Sequence, residues 1–243
     1  MRNPKWHRDE IILALDLYFS LDRGSIDDKN PKIIETSRIL NELPLFPNRP
    51  DEVKFRNPNG VTLKLANFLT FDQTYTGKGM TGGSKLDEEV FKEFFNNREK
   101  LREIASEIKK IADNSTLKNQ IYSIEEDEQT EKDSVHEGQV LYKLHKVRER
   151  NLEIVKYKKE QAFKLYGKLS CEACVFVFQE FYGIIGKGFI ECHHKMPLYK
   201  IKVESKTSLD DLGLVCSNCH RMLHKEIDVL SIEDLRLKIA YKR

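Results

Sequence analysis

Two Cys-x-x-Cys pairs, Cys171–Cys174 and Cys216–Cys219, bracket a His193–His194 doublet, and His220 and His224 follow at once. Seven candidate metal ligands and one further imidazole thus fall between residues 171 and 224. That is more than one ion can use. Four thiolates suit a closed tetrahedral zinc site, which is structural. Its task would be to tie the ends of a small domain that lacks enough core of its own. Cys192, flanked by Glu191 and His193, is the odd thiol and is expected to be a small buried core residue.

The imidazoles are left over for a second, open site. His220 and His224 stand at i and i+4, so a helix puts them on one face where they can hold one ion. His193 can add a third nitrogen from the end of a strand. Three nitrogens leave positions for water and a phosphate oxygen. On an extended chain His194 points away from His193, so it serves as a general base beside a Lewis acid. His7, His136 and His145 stand apart and are expected to be structural.

The elements that must position these groups follow from periodicity. Ile11, Ile12, Leu15, Tyr18 and Phe19 predict a helix over 7–22, and a second runs from Pro31 to Leu43, ending at Pro44. Asn57-Pro58 caps and opens a helix bearing Val61, Leu65, Phe68 and Leu69. Residues 74–84 are Gly-rich and polar, which predicts a loop. One long amphipathic helix is predicted from Leu86 to Ala112. Polar and acidic residues follow over 113–138, peaking at Glu125–Glu128, and predict a self-repelling linker. From Lys143 to Lys168 the chain turns basic and helical. Gly77-Lys-Gly79-Met-Thr-Gly82 spells G-x-G-x-x-G, but no βαβ unit surrounds it. It is expected to be a flexible loop in which Lys78 can touch phosphate.

At 243 residues, 40% hydrophobic and 33% charged, the composition excludes a disordered chain. No apolar run approaches the roughly 20 residues that span a bilayer. The first residues lack the apolar core of a signal peptide, so a cytoplasmic location is expected. In a reducing compartment paired Cys-x-x-Cys motifs act as metal ligands rather than disulfides. The net charge of +2 says little by itself, because its distribution matters more.

The text CEAC…GFIECHHKMPL…LDDLGLVCSNCHRMLH resembles an HNH (ββα-metal) endonuclease domain of the McrA-like type with a four-cysteine zinc site. The resemblance covers about 169 to 225 and implies His193, His220 and His224 as ligands of the catalytic metal and His194 as general base. The middle Asn of that family falls at Asp211. In the family this residue orients the base and braces the loop, and Asp can accept a hydrogen bond from an imidazole N–H. The resemblance also implies a 5′-phosphate product and a bacterial, modification-dependent restriction role.

The upstream text EGQVLYKLHKVRERNLEIVKYKK resembles the helical lead-in of restriction-type HNH proteins. PKWHRDE…LALDLYF and FRNPNGV…KLANF resemble domains that accompany them, which implies a reader of modified DNA such as 5-methylcytosine. The expected architecture is therefore α+β. A mostly helical DNA-recognition domain spans 1–112, an acidic linker 113–138, and an HNH nuclease domain with zinc knuckles 139–243. Expected cofactors are a structural Zn²⁺ and one divalent catalytic metal (Mg²⁺, Mn²⁺, Co²⁺, Ni²⁺ or Zn²⁺). The expected partner is double-stranded DNA, with Lys146, Arg148, Arg150, Lys156, Arg56, Lys64 and Lys78 as candidate contacts. Cutting both strands would suit a homodimer. Two alternatives stay open: a zinc-stabilised nucleic-acid-binding module without catalysis, and a homing, phage or repair nuclease.

Overall fold

The computed structural model describes residues 2–77, 82–123, 139–149, 152–195, 207–224 and 230–240. They form two compact units, one of residues 2–123 with 139–141 and one from 142 onward. No helix among the described residues is long and apolar enough to cross a membrane.

The first unit is helical: α1 (Arg8–Ser20), α2 (Pro31–Glu42), α3 (Pro58–Phe68), α4 (Lys85–Phe95), α5 (Arg98–Ala112) and α6 (Ser115–Tyr122). Helix α1 is the centre, touching α2, α3, α4 and α5. Ile11 to Leu15 are fully buried in succession, as expected of a helix that is apolar all round. The starts are built from caps. Asn30 accepts from Lys32 N and Asn57 from Gly60 N, just past Pro31 and Pro58, and Ser84 and Asp87 form a capping box.

Two expectations are corrected here. The single helix from Leu86 to Ala112 is two, because the chain leaves helical geometry at Asn97 (φ −130°, ψ 53°). Asparagine competes with the helix for backbone hydrogen bonds, and two in a row end it. Nor is 113–138 a linker from its first residue. Asn114 caps α6, which packs on α5 and buries Ile121. The acidic Glu125–Glu128 stretch, His136 and Lys78 lie outside the described residues.

Arg56 and Lys64, expected among the DNA contacts, have buried side chains that are engaged within the first unit. The Arg56 guanidinium is buried and gives two hydrogen bonds to Glu10 (2.6 and 2.7 Å). It also donates to the carbonyls of Pro4 and Lys5 and stacks 4.6 Å from the Trp6 ring. Lys64 Nζ is buried against both oxygens of Asp87 (2.7 and 2.8 Å). Burial pushes the Glu10 carboxyl above its usual range, against the pull of Arg56. Arg56→Ala would strand that carboxylate, and breaking a buried pair from one side costs about 3–5 kcal/mol. The urea midpoint of the first unit should fall accordingly; an unchanged midpoint would show that Glu10 simply takes up a proton.

The second unit contains the rest of α7 (Gln139–Glu149), α8 (Leu152–Tyr166), a short α9 (Phe178–Tyr182), strands β1 (Glu191–His194) and β2 (Leu212–Val215), α10 (Ser217–Leu223) and α11 (Ile232–Ala240). The strands pair antiparallel with Glu191 opposite Val215, His193 opposite Gly213 and His194 opposite Leu212. A two-stranded sheet is marginal alone. Here the free edge of β2 is closed by Glu172, whose N–H donates to the Leu214 carbonyl (2.8 Å) while its Oε1 accepts from Leu214 N (2.8 Å). At Gly213 a Cβ would lie 2.2 Å from Ile232 Cδ1, so glycine admits α11 onto the strand. Cys192 is buried in the core with Ile190, Leu214 and Leu223.

Candidate metal centre

The first centre is built from two turns. In one, Val175 N donates to the Cys171 carbonyl and Cys174 N points at Cys171 Sγ (3.5 Å). In the other, Cys216 caps α10, and its Sγ accepts from Cys219 N (3.5 Å). The four ligand sulfurs lie within 4.8 Å of one another, and none is in a disulfide. Cys174 Sγ and Cys216 Sγ are 3.7 Å apart. A tetrahedron with zinc–sulfur arms of about 2.3 Å has edges of about 3.8 Å, so the donor set fits zinc. Burial pushes the Cys174 thiol up to about 11 and the Cys219 thiol higher still. At Cys171 burial is outweighed by backbone N–H groups, and its thiol is lowered.

Val175, just after Cys174, has φ 60°, a left-handed conformation that is costly for a β-branched residue. Val175→Gly should relieve it. Against the extra entropy of glycine in the unfolded chain, a net gain of about 1 kcal/mol is expected. The melting temperature of the zinc-loaded protein should rise by a few degrees; a fall would show that the valine side chain stabilises the knuckle.

The second centre joins β1 to α10. His220 and His224 lie one turn apart, at and just beyond the end of α10, and His193 faces them from the strand. One nitrogen from each lies within 4.8 Å of the others, and the ring centroids form a triangle of 5.2, 4.9 and 4.9 Å. His193 is buried while His220 and His224 are half-buried, so the cluster opens on the helix side. The donor set suits a divalent cation with positions to spare.

Sequence reasoning gave Glu191 no role, and the structure supplies one. Its Oε2 lies 2.6 Å from His220 Nδ1, and its Oε1 accepts from Ser217 Oγ. A carboxylate on Nδ1 favours the tautomer that would leave Nε2 to hold a metal ion. The signal was alternation: Glu191 lies two residues before His193 and so shares its strand face. Tyr142 of α7 meets His224 edge-on, with centroids 5.8 Å apart.

His194 is buried on the opposite strand face, and its Nε2 lies 3.2 Å from Thr207 Oγ1. Asp211 lies close enough to His194 to feel its charge, and its carboxylate also has a local partner. The Asp211 Oδ2 accepts from Ser208 N (2.8 Å) and Ser208 Oγ (2.7 Å), and these bonds hold its carboxyl below the usual range. Its backbone carbonyl accepts from Lys195 N (2.8 Å). Asp211 thus closes the turn over Leu209–Asp211 and fastens it to the residue after His194. Lys158 of α8 adds a bond to the Leu209 carbonyl (2.9 Å).

Of the expected DNA contacts, Lys156 is exposed on α8, 3.8 Å from Glu160. The side chains of Lys146 and Arg148, and Arg150 altogether, lie outside the described residues, as does the His145 side chain. Residues 170–226 match the family model described as HNH endonuclease. The chain is accordingly a nuclease, a phosphodiester hydrolase acting on nucleic acid. No curated protein and no solved structure matches it.

Proposed function

We propose that the protein is a metal-dependent endonuclease of the McrA-like type that restricts foreign double-stranded DNA, with cytosine modification as the mark its helical unit selects. The observation that carries this reading is the convergence of His193, His220 and His224 beside a buried His194, inside the segment that matches HNH endonucleases. His193, His220 and His224 would hold a divalent cation (Mg²⁺, Mn²⁺, Co²⁺, Ni²⁺ or Zn²⁺), which when bound supplies Lewis-acid stabilisation of phosphate charge.

The residues themselves do the rest. Thr207 Oγ1 lies within hydrogen-bond distance of His194 Nε2 and sets the ring that takes the proton of the attacking water. The ionised Asp211, whose carboxyl feels His194, favours the imidazolium that results. Attack is in line with the departing 3′ oxygen and leaves a 5′-phosphate. Cys171, Cys174, Cys216 and Cys219 would hold zinc and keep α10 against the sheet. The restriction role rests on the likeness of the N-terminal segments to domains that accompany such nucleases.

The test is cleavage of cytosine-methylated and unmethylated plasmid with each cation. Preferential cutting of methylated DNA is the expected result. Equal cutting of both would remove the modification reading and favour a homing, phage or repair role. DNA binding without cutting under any cation would leave a zinc-stabilised binding module.

A further inference from the structure

Between the first knuckle and β1 the chain builds an apolar ledge. Phe176, Phe178, Phe181, Tyr182 and Phe189 form one network of ring contacts, with centroids 4.6–6.3 Å apart. The turn that follows α9 is seated closely on it, since a Cβ at Gly186 would lie 2.2 Å from the Phe178 carbonyl oxygen. On this rigid base Phe181 is 70% exposed, Tyr182 53%, Ile184 79%, Ile185 87% and Phe189 48%.

We propose that this ledge is the surface on which a second copy of the chain docks. Counting about 200 Å² for a whole aromatic side chain and about 100 Å² for a branched aliphatic one, these five residues leave on the order of 500 Å² of apolar surface in water. That is near the top of the range for the largest patch of an ordinary monomer, roughly 300–600 Å². It also matches what a dimer needs. A standard interface buries about 800 Å² per partner, and homodimer interfaces are about 65% apolar.

The composition fits the same occupant. The five residues carry no charge, and their charged neighbours are Glu180, paired with Lys168 (3.0 Å), and the exposed Lys187. That is the arrangement of an apolar interface core with a polar margin. DNA would call for lysine and arginine across the face itself. A two-fold pairing makes the patch its own complement, and the packed rings lose little freedom on docking. One copy holds one three-histidine cluster among the described residues, and pairing supplies a second for the double-strand cut; this last step rests on the nuclease reading.

The experiment is sedimentation equilibrium of the full-length protein and of the double variant Ile184→Glu/Ile185→Glu, with zinc content and circular dichroism as checks on folding. The unaltered protein should have the mass of a dimer at micromolar concentration, and the variant should show an about twofold lower mass with zinc unchanged. On supercoiled plasmid the unaltered protein should build up linear product, and the variant should stop largely at nicked circles. A monomeric unaltered protein, or a variant that stays dimeric, would overturn the proposal. If the variant loses zinc, Phe181→Lys replaces it and is judged by the same mass criterion. Mass unaffected but DNA affinity lost would assign the ledge to DNA instead. A dimer that the variant splits, with no cutting by either, supports the surface and refutes only the nuclease reading.

Discussion

His194→Ala is expected to lower DNA cleavage by about 10²- to 10⁴-fold, the usual worth of a positioned general base. Metal uptake should survive, because the side chain of His194 projects from the strand face opposite His193, and the triangle of His193, His220 and His224 does not use it. The two neighbours therefore separate experimentally. Titration calorimetry with Co²⁺ or Ni²⁺ should give unchanged affinity at the second centre for His194→Ala and a clear loss for His193→Ala. DNA binding in the presence of a chelator should be the same for both variants. Cleavage by His194→Ala at the unaltered rate would refute the assignment and pass the proton to another group.

Cys219→Ser is expected to cost the second unit its fold. Zinc bound by four thiolates is worth about 10–16 kcal/mol in small domains, and a whole domain has only about 5–15 kcal/mol of stability. Burial raises the Cys219 thiol above its usual range, and a serine hydroxyl does not replace a thiolate as a zinc ligand. Cys216 caps the start of helix α10, His220 lies within it and His224 caps its end, so the placing of these two imidazoles depends on the four-cysteine cluster. Zinc content should fall, proteolysis should open the chain from about residue 142 onward, and cleavage should vanish. The first unit should keep its helical circular dichroism. Cys192→Ala, which also removes a buried sulfur, should keep zinc; if it does not, Cys192 is more than a core residue.

Some of this was legible from residue type and spacing, and some could not be. Cysteine and histidine spacing is metal chemistry written locally, so both clusters could be grouped from the chain alone. Caps such as Asn57 ahead of Pro58 are equally local. The break at Asn96–Asn97 hid because apolar spacing continues across it from Phe94 to Leu101 and Ile104; the evidence was the Asn pair, not the period. Arg56 and Lys64 looked like surface cations because their partners, Glu10 and Asp87, are distant in sequence. A long side chain that finds a buried carboxylate is invisible until the helices are assembled. Asp211 is a local case. Its carboxylate found a partner three residues back in Ser208, and a Ser-x-x-Asp turn signature could have revealed that.

The clamp that Glu172 places on Leu214 bears on how the strand register is held. In an ordinary hairpin the connecting turn sets the register. Here β1 and β2 are joined by residues 195–211, too long a connection to dictate which residues face each other. The pairing of His193 with Gly213 is instead fixed from outside, by the knuckle on the far edge of β2. The strand register that sends His193 and His194 to opposite faces therefore depends on a carboxylate in the first knuckle as well as on the strands themselves.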